Sequence, residues 1–230
     1  MNTQDKIILS ADDLHKEHLI SLISKIGKRI YAVKIHNLYD IYGSGIISVL
    51  KNAGVQKVWV DFKLHDIPNT VKLRAQSLAS AGVDIITVHA SGGLEMLKTA
   101  KEGFGSKKVY AVTALTSLGD AEISEIYGTS TAENLVLKLA KIVKESGVDG
   151  LVCSPKEVGV IRSNSEFNSL ELVIPGIRSI GVNSDDQKRF DTPENTLRAG
   201  ANFLVIGRQI TKVENAEKAL DLIQKEIENV

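Results

Sequence analysis

Apolar residues follow two different periods along this 230-residue chain. Short runs rich in Val, Ile and Leu predict buried β-strands, and longer segments with apolar residues at every third or fourth position predict amphipathic helices. The predicted strands cover residues 6–11, 29–35, 58–63, 85–88, 109–113, 151–153, 172–174 and 203–206. The predicted helices cover residues 14–25, 39–51, 71–80, 94–101, 131–146, 156–163, 193–198 and 216–228. Asp13 is the expected cap of the first helix, and Gly43 and Gly45 interrupt the second.

Eight alternations of strand and helix predict a (β/α)8 barrel, an α/β fold that forms a single domain over residues 1–230. A doubly wound open sheet is the alternative architecture, but no GxGxxG motif follows the first strand. A small residue, a Gly and a small apolar residue recur at 53–55, 81–83, 146–148 and 199–201, each before a predicted strand. This repeat predicts helices that end at the Gly and lead directly into buried strands.

Composition narrows the class of protein. The 28 Lys and Arg residues balance 28 Asp and Glu residues, so nothing favours a nucleic-acid or membrane-surface partner. The single cysteine, Cys153, excludes an intramolecular disulfide framework and is expected to be buried in a strand. Neither a signal-peptide pattern nor an apolar run of membrane-spanning length is found, so we expect a cytoplasmic protein.

The stretch from Val58 to Thr70 combines a strand, a tight loop and the start of a helix. It contains a D-x-K-x-x-D pattern made by Asp61, Lys63 and Asp66. Because Asp61 and Lys63 are two apart in a strand, we expect them on the same face. They are either a salt bridge at a strand end or part of a catalytic network in which carboxylates hold a lysine charged.

Other polar residues are expected on the same rim, because active sites of such barrels lie at the carboxyl ends of the strands. A helix cap for Asp12, a structural role for His89 and a solvated charge for Arg178 are the simpler alternatives, and His65 is expected to face solvent. The loop over 176–191 is long enough to be a lid, and a floppy surface loop is the simpler alternative. The rim residues are Asp12, Lys34, Asp61, Lys63, Asp66, His89, Thr113, Thr116, Arg178, Gly207 and Arg208.

A phosphate site is predicted at the loops after the last two strands, where barrels of this type commonly bind phosphate through backbone N–H groups. Gly207 would let the backbone approach an anion, and Arg208 could bind it in a bidentate manner. Arg178 and Gln187 belong to the preceding loop.

The stretch DFKLHDIPNT at 61–70 resembles the signature of the orotidine 5′-phosphate decarboxylase family. Asp12 and Lys34 resemble the family's strand-one aspartate and strand-two lysine. Its later motifs resemble PGIR at 175–178, DQ at 186–187 and GR at 207–208. D-x-K-x-x-D alone also occurs in other phosphosugar barrels, but the IPNT extension and the later motifs, in this order, are specific to the family.

This resemblance implies decarboxylation of orotidine 5′-phosphate to UMP, with no cofactor and no metal. It implies that Lys63 stabilises and protonates a C6 carbanion within an alternating Lys34, Asp61, Lys63 and Asp66 array, Asp66 coming from the other subunit of a homodimer with shared active sites. Ribose binding falls to Asp12 and Lys34, and pyrimidine binding to Thr116. Phosphate binding falls to Gln187, Gly207 and Arg208, with further substrate contacts from Ile67, Thr70, Pro175 and Arg178.

Two rival functions remain at this point. A metal-dependent barrel enzyme acting on a sugar phosphate would share D-x-K-x-x-D, but it needs extra carboxylates for Mg²⁺ near the second and third strands. The second strand here ends in Lys34-Ile35-His36 instead. The other rival is a nucleotide-binding barrel without catalysis, which would have no need to confine two lysines with two aspartates.

Overall fold

Eight parallel strands close into a barrel in chain order, which confirms the predicted fold and excludes the open sheet. The computed structural model describes residues 3–12, 14–180 and 190–230. The strands are β1 (Ile7–Ser10), β2 (Ala32–Ile35), β3 (Val58–Leu64), β4 (Ile85–His89), β5 (Lys108–Val112), β6 (Gly150–Val152), β7 (Glu171–Ile174) and β8 (Phe203–Ile206).

Helices follow the strands and surround the barrel. They are α1 (Lys16–Ile26), α2 (Asn37–Tyr42), α3 (Gly45–Asn52), α4 (Pro68–Ser80), α5 (Gly93–Phe104), α6 (Asp120–Tyr127), α7 (Ala132–Ser146), α8 (Val158–Ser163), α9 (Pro193–Arg198), α10 (Arg208–Thr211) and α11 (Ala216–Glu226). Short 3-10 helices cover Thr3–Lys6, Gly27–Arg29, Ala90–Gly92, Pro155–Glu157 and Ser165–Phe167. In the part of the chain that the structure describes, no helix is long and apolar enough to cross a membrane.

Several predicted boundaries were wrong. The second strand begins at Ala32, because Gly27–Arg29 form a 3-10 helix instead of extended chain. The predicted interruption of the second helix at Gly43 is confirmed, with Gly43 at φ 63° between α2 and α3, but α2 begins at Asn37 and not at Tyr39. Helices α6 and α10 were not predicted. Helix α1 begins at Lys16 with His15 at its N-cap position, and Asp13, the expected cap, lies outside the described residues.

Local sequence explains where the longer helices begin. The Thr131 side chain accepts a hydrogen bond from the Asn134 backbone N–H at the start of α7, and Asn215 does the same for Lys218 at the start of α11. Pro68 occupies the first turn of α4, where its missing N–H has no cost. These caps fix the point at which each loop turns from the barrel into its helix.

Two apolar cores lie on the two sides of the barrel wall. The larger one packs the outward residues of the strands against the helices, for example Leu9 and Val33 against Leu19 and Ile23. The smaller one fills the barrel interior with Ile8, Ala32, Trp59, Ile85, Tyr110, Val173, Phe203 and Val205. Interior residues alternate with outward residues along each strand, as the two-residue period of a strand requires.

The small–Gly–small repeat ends four helices, as predicted, with Gly54, Gly82, Gly147 and Gly200 all at positive φ. In three of the four copies an Asp or Asn stands two positions after the Gly. Asp84, Asp149 and Asn202 each accept a hydrogen bond from the first or second N–H of the preceding strand, at 2.9, 2.9 and 2.8 Å. The repeat therefore ties neighbouring strands together at the end of the barrel opposite the strands' carboxyl termini.

Candidate active site

A cavity of about 400 Å³ opens at the carboxyl ends of the strands. Its size suits a small ligand. Every strand except β4 contributes a lining residue, directly or from the loop that follows it. The lining consists of Ser10, Asp12, Lys34, Trp59, Asp61, Lys63, Val112, Thr116, Val152, Pro175, Gly176, Arg178, Val205, Gly207, Arg208 and Thr211.

Asp61 lies at the centre of the charged side chains. Its Oδ2 is 3.1 Å from the Lys34 Nζ and 2.9 Å from the Lys63 Nζ. Burial would raise the pKa of Asp61, but the two ammonium groups outweigh it and lower the pKa to about 2. Burial would likewise lower the pKa of Lys34, yet Asp61 and Asp12 raise it. Asp61 and Lys34 are therefore held in their charged forms.

Lys63 occupies an unusual backbone position. Its φ is +50°, and it is the one non-glycine residue with positive φ among the described residues. Val60 pairs with Ile86 and Leu64 with Val88, so four steps along β3 match two along β4. This bulge places Lys63 in the left-handed region. Its side chain still reaches Asp61, as the sequence predicted, but through a bulge and not through a regular strand.

Asp12 belongs to the same network. The Lys34 Nζ donates to both Asp12 carboxylate oxygens, at 2.9 and 2.7 Å, and the Ser10 hydroxyl donates to Oδ2 at 2.7 Å. Lys34 therefore bridges two carboxylates. The helix-cap alternative for Asp12 was wrong, because α1 begins only at Lys16.

Two buried neighbours of Asp61 were not recognised in the sequence. The Thr87 hydroxyl donates to the Asp61 Oδ1 at 2.7 Å, and the Trp59 indole Nε1 donates to the Thr87 hydroxyl oxygen at 2.6 Å. Thr87 lies in the apolar run of β4, where a threonine suits strand propensity and gives no sign of a site. Trp59 lies two residues before Asp61 on the same strand face, which was the available signal.

The other end of the cavity is cationic. Arg178 and Arg208 both line it, and Gly207 lies between β8 and α10. Arg178 is only 5% exposed, so the alternative of a solvated surface charge was wrong. A Cβ on Gly207 would lie 3.3 Å from the backbone oxygen of Ser10, so the absence of a side chain keeps this wall close-packed.

The loop after β7 is joined to helix α10 by the residues that follow Arg178 and Arg208 in the chain. The Ser179 N–H donates to the Gln209 side-chain oxygen at 3.1 Å, and the Gln209 amide donates to the Ser179 hydroxyl at 2.6 Å. The Arg178 backbone N–H donates a hydrogen bond to the Asp191 backbone carbonyl at 3.0 Å, which joins the first and last parts of the loop over 176–191. Gln187 and most of the expected lid lie outside the described residues.

Three predicted site residues are not gathered into this cavity. Asp66, Ile67 and Thr70 are exposed and lie beyond the β3 rim. Asp66 and Thr70 instead line a second, neighbouring cavity of about 710 Å³, together with Lys63 and Arg74. The Asp66 carboxylate accepts a hydrogen bond from the Ile67 N–H at 2.6 Å.

The other polar residues near the rim, His65, His89 and Thr113, do not line the cavity. His65 is exposed, as predicted, and its ring lies 5.3 Å from that of half-buried His89. Burial, then His65 and Lys63, lower the pKa of His89. The buried Thr113 hydroxyl donates to the Val152 carbonyl at 3.1 Å, and Thr113 does not line the cavity. Cys153 is buried, as predicted, but it follows β6, which ends at Val152, and does not lie in a strand.

The donor set of the cavity suits an anion better than a metal ion. Its charged lining comprises four cations and two carboxylates, and both carboxylates accept hydrogen bonds from lysines. Over residues 3–12, 14–180 and 190–230, no three His, Cys, Asp or Glu side chains cluster as metal ligands would. The arrangement can therefore hold an anionic ligand against a buried, alternating row of charges.

Comparisons with known proteins agree with this geometry. The chain is 45% identical over 193 residues to "Orotidine 5'-phosphate decarboxylase" of Streptococcus pneumoniae (strain Hungary19A-6), covering 82% of this chain and 81% of that protein. A solved structure of that name from Lactobacillus acidophilus superimposes with a TM-score of 0.82 at 34% identity, over 98% and 99% of the chains. One from Pyrococcus horikoshii OT3 gives 0.80 at 25%, over 97% and 100%. Residues 5–223 match the family described as orotidine 5'-phosphate decarboxylase / HUMPS, and the chain therefore belongs to that family.

Proposed function

We propose that this protein decarboxylates orotidine 5′-phosphate to UMP in pyrimidine biosynthesis, without a cofactor, in the cytoplasm. The observation that carries this proposal is the Asp61 carboxylate, which holds the ammonium groups of Lys34 and Lys63 within 3.1 Å of one oxygen atom. Family membership and the relatives named as decarboxylases support the same reaction. Phosphate and carboxylate groups on the substrate match the cationic surplus of the cavity.

Lys63 is the proposed acid. When the bond between C6 and the carboxylate breaks, CO₂ leaves and the electron pair remains on C6. A nearby ammonium group stabilises that pair, and such preorganised charge is usually the largest contribution to catalysis. Lys63 then transfers a proton from Nζ to C6 and recovers one from solvent. Asp61 keeps Lys63 charged and oriented until that transfer, because an opposite charge favours the ammonium form.

The other side chains hold the substrate. We assign the ribose hydroxyls to Asp12 and Lys34 and the pyrimidine to Thr116, all of which line the cavity. We assign the phosphate to Gly207 and Arg208, on the cationic side, and to Gln187. Pro175 and Arg178 are further proposed substrate contacts on the β7 loop, while Asp66, Ile67 and Thr70 are assigned to the substrate of a neighbouring subunit.

The rival metal-dependent reaction lacks support from the side chains present. It would need several carboxylates that are open to a divalent cation. Asp12 and Asp61 are instead bridged by Lys34, whose ammonium group lies 2.7 and 3.1 Å from their oxygens. These contacts favour charge stabilisation by lysine over stabilisation by an ion.

Loss of orotidine 5′-phosphate absorbance, measured with and without EDTA, tests the proposal. We expect turnover that chelation leaves unchanged. Lys63→Ala should lower kcat by orders of magnitude, because the ammonium acts only as charge develops. Lys72→Ala, which breaks an exposed pair with Glu102, is the matched lysine control and should keep wild-type kcat.

Three results would contradict the proposal. Activity lost on chelation and restored by Mg²⁺ would favour the sugar-phosphate reaction. UMP binding without turnover would favour a binding protein. A near-wild-type kcat for Lys63→Ala would remove Lys63 from the chemistry.

A further inference from the structure

The two carboxylate oxygens of Asp61 have different hydrogen-bond partners. Oδ2 is shared by Lys34 and Lys63, and Oδ1 accepts the Thr87 hydroxyl. The terminal torsion of an aspartate is broad and nearly two-fold, so lysine contacts on one oxygen leave rotation of the carboxylate plane loosely defined. A partner on the second oxygen removes that freedom. Thr87 is such a partner, fully buried on the neighbouring strand.

The direction of the hydrogen bonds through Thr87 is fixed by chemistry. An indole N–H can only donate, and an ionised carboxylate can only accept. The Trp59 Nε1 therefore occupies a lone pair of the Thr87 oxygen at 2.6 Å and leaves the hydroxyl hydrogen to point at Asp61, 2.7 Å away. Trp59 is 1% exposed and touches the cavity floor, so water does not compete freely for its N–H.

We propose that Trp59 and Thr87 are positioning residues that orient the Asp61 carboxylate, and through it the Lys63 ammonium, for proton transfer. This inference rests on the proposed function. Its physical basis is that a misplacement of about 1 Å at a reacting group can cost on the order of a hundredfold in rate. Trp59 also forms part of the cavity floor, so one side chain both shapes the site and fixes the hydroxyl that orients its central carboxylate.

Kinetics of two Thr87 variants and one control variant test the proposal. Thr87→Val removes the hydroxyl at nearly constant volume, and we expect kcat to fall about ten- to hundredfold, as for loss of a hydrogen bond to a charged group. KM should change little. Thr87→Ser keeps the hydroxyl and should restore most of kcat. Thr113→Val removes a comparably buried hydroxyl that does not line the cavity and donates to the Val152 backbone carbonyl, so it controls for loss of a buried polar group.

Trp59→Phe tests the hydrogen bond from Trp59 to Thr87, the first of the two that lead to Asp61. It removes the N–H and keeps an aromatic ring, so kcat should fall, though less than in Thr87→Val. If Trp59 acts through Thr87, adding Trp59→Phe to Thr87→Val should lower kcat little further. Effects that multiply, or a Thr87→Ser variant as slow as Thr87→Val, would mean that the two residues only pack and would overturn the proposal.

A measurement that needs no turnover separates this inference from the proposed function. Titration of the Asp61 carboxyl by ¹³C NMR should give a higher pKa in Thr87→Val than in the wild type, because a hydrogen bond to the ionised form is lost. Thr87→Ser and Thr113→Val should leave it unchanged. An unchanged Asp61 pKa in Thr87→Val would overturn the positioning role even in an active enzyme. A wild type inactive on orotidine 5′-phosphate would overturn only the proposed reaction.

Discussion

Asp61 is stable as a buried anion because two lysines and the Thr87 hydroxyl surround it. Its pKa of about 2 lies below the ordinary value of 3.8. Because the folded carboxyl has the lower pKa, its contribution to stability is present above the unfolded pKa and is lost as pH falls through the folded pKa. The shift corresponds to on the order of 2 kcal/mol.

Asp61→Asn should isolate this contribution. We expect the difference in unfolding free energy between wild type and variant to shrink by on the order of 2 kcal/mol between about pH 4 and about pH 2. Denaturant unfolding over that pH range measures it. A difference that is constant with pH would show that Asp61 has an ordinary pKa in the folded state.

At the scale of the elements, close contacts between neighbouring strands hold the barrel together. One such contact is made by Gly150 on β6. A Cβ at Gly150 would lie 2.1 Å from the Glu171 backbone oxygen on β7, so β6 and β7 would have to separate. Gly147, three residues earlier, has φ +77° but open space around its Cα. Substitution of Gly150 therefore measures the cost of a steric collision, and substitution of Gly147 measures the cost of backbone strain.

Gly150→Ala should lower the free energy of unfolding by at least about 3 kcal/mol, at or beyond the upper end of ordinary overpacking. Gly147→Ala should cost about 1–2 kcal/mol, as expected for an L-residue in the left-handed region. Urea unfolding of both variants gives the comparison. Equal losses would show that the β6–β7 contact relaxes around a methyl group.

The sequence predicted the order of elements because each strand and helix carries its own hydrophobic period. It misplaced the start of β2 because Ile30 and Tyr31 extend the apolar run although the preceding residues form a 3-10 turn. It could not reveal the β3 bulge, since register depends on the partner strand. Thr87 was missed for the same reason: its role arises from contact with residues 26 and 28 positions away.

On the scale of the whole molecule, the position of Asp66 bears on assembly. It lies outside the cavity that holds Asp61 and next to exposed Ile67 and Leu73, which are 66% and 58% accessible. Exposed apolar side chains beside a second cavity favour a partner surface. A two-fold dimer in which each subunit lends Asp66 to the other's site remains a prediction.

Subunit mixing tests that dimer. Lys63→Ala and Asp66→Asn proteins should each be nearly inactive. After exchange, about half the dimers are hybrids in which one site carries both substitutions and the other carries neither, so roughly a quarter of wild-type activity should return. Proven exchange without recovered activity would place Asp66 in its own subunit's site.

At Lys63, the backbone conformation and the proposed chemistry favour different residues, because its φ is positive. A glycine there would fit the backbone better than any other residue, by about 1 kcal/mol over alanine, and would abolish the ammonium. Selection of variants for heat resistance alone would therefore tend to replace the residue to which we assign the proton transfer. Any stabilised descendant of this protein that keeps its activity must gain its stability elsewhere and leave this strained turn of β3 intact.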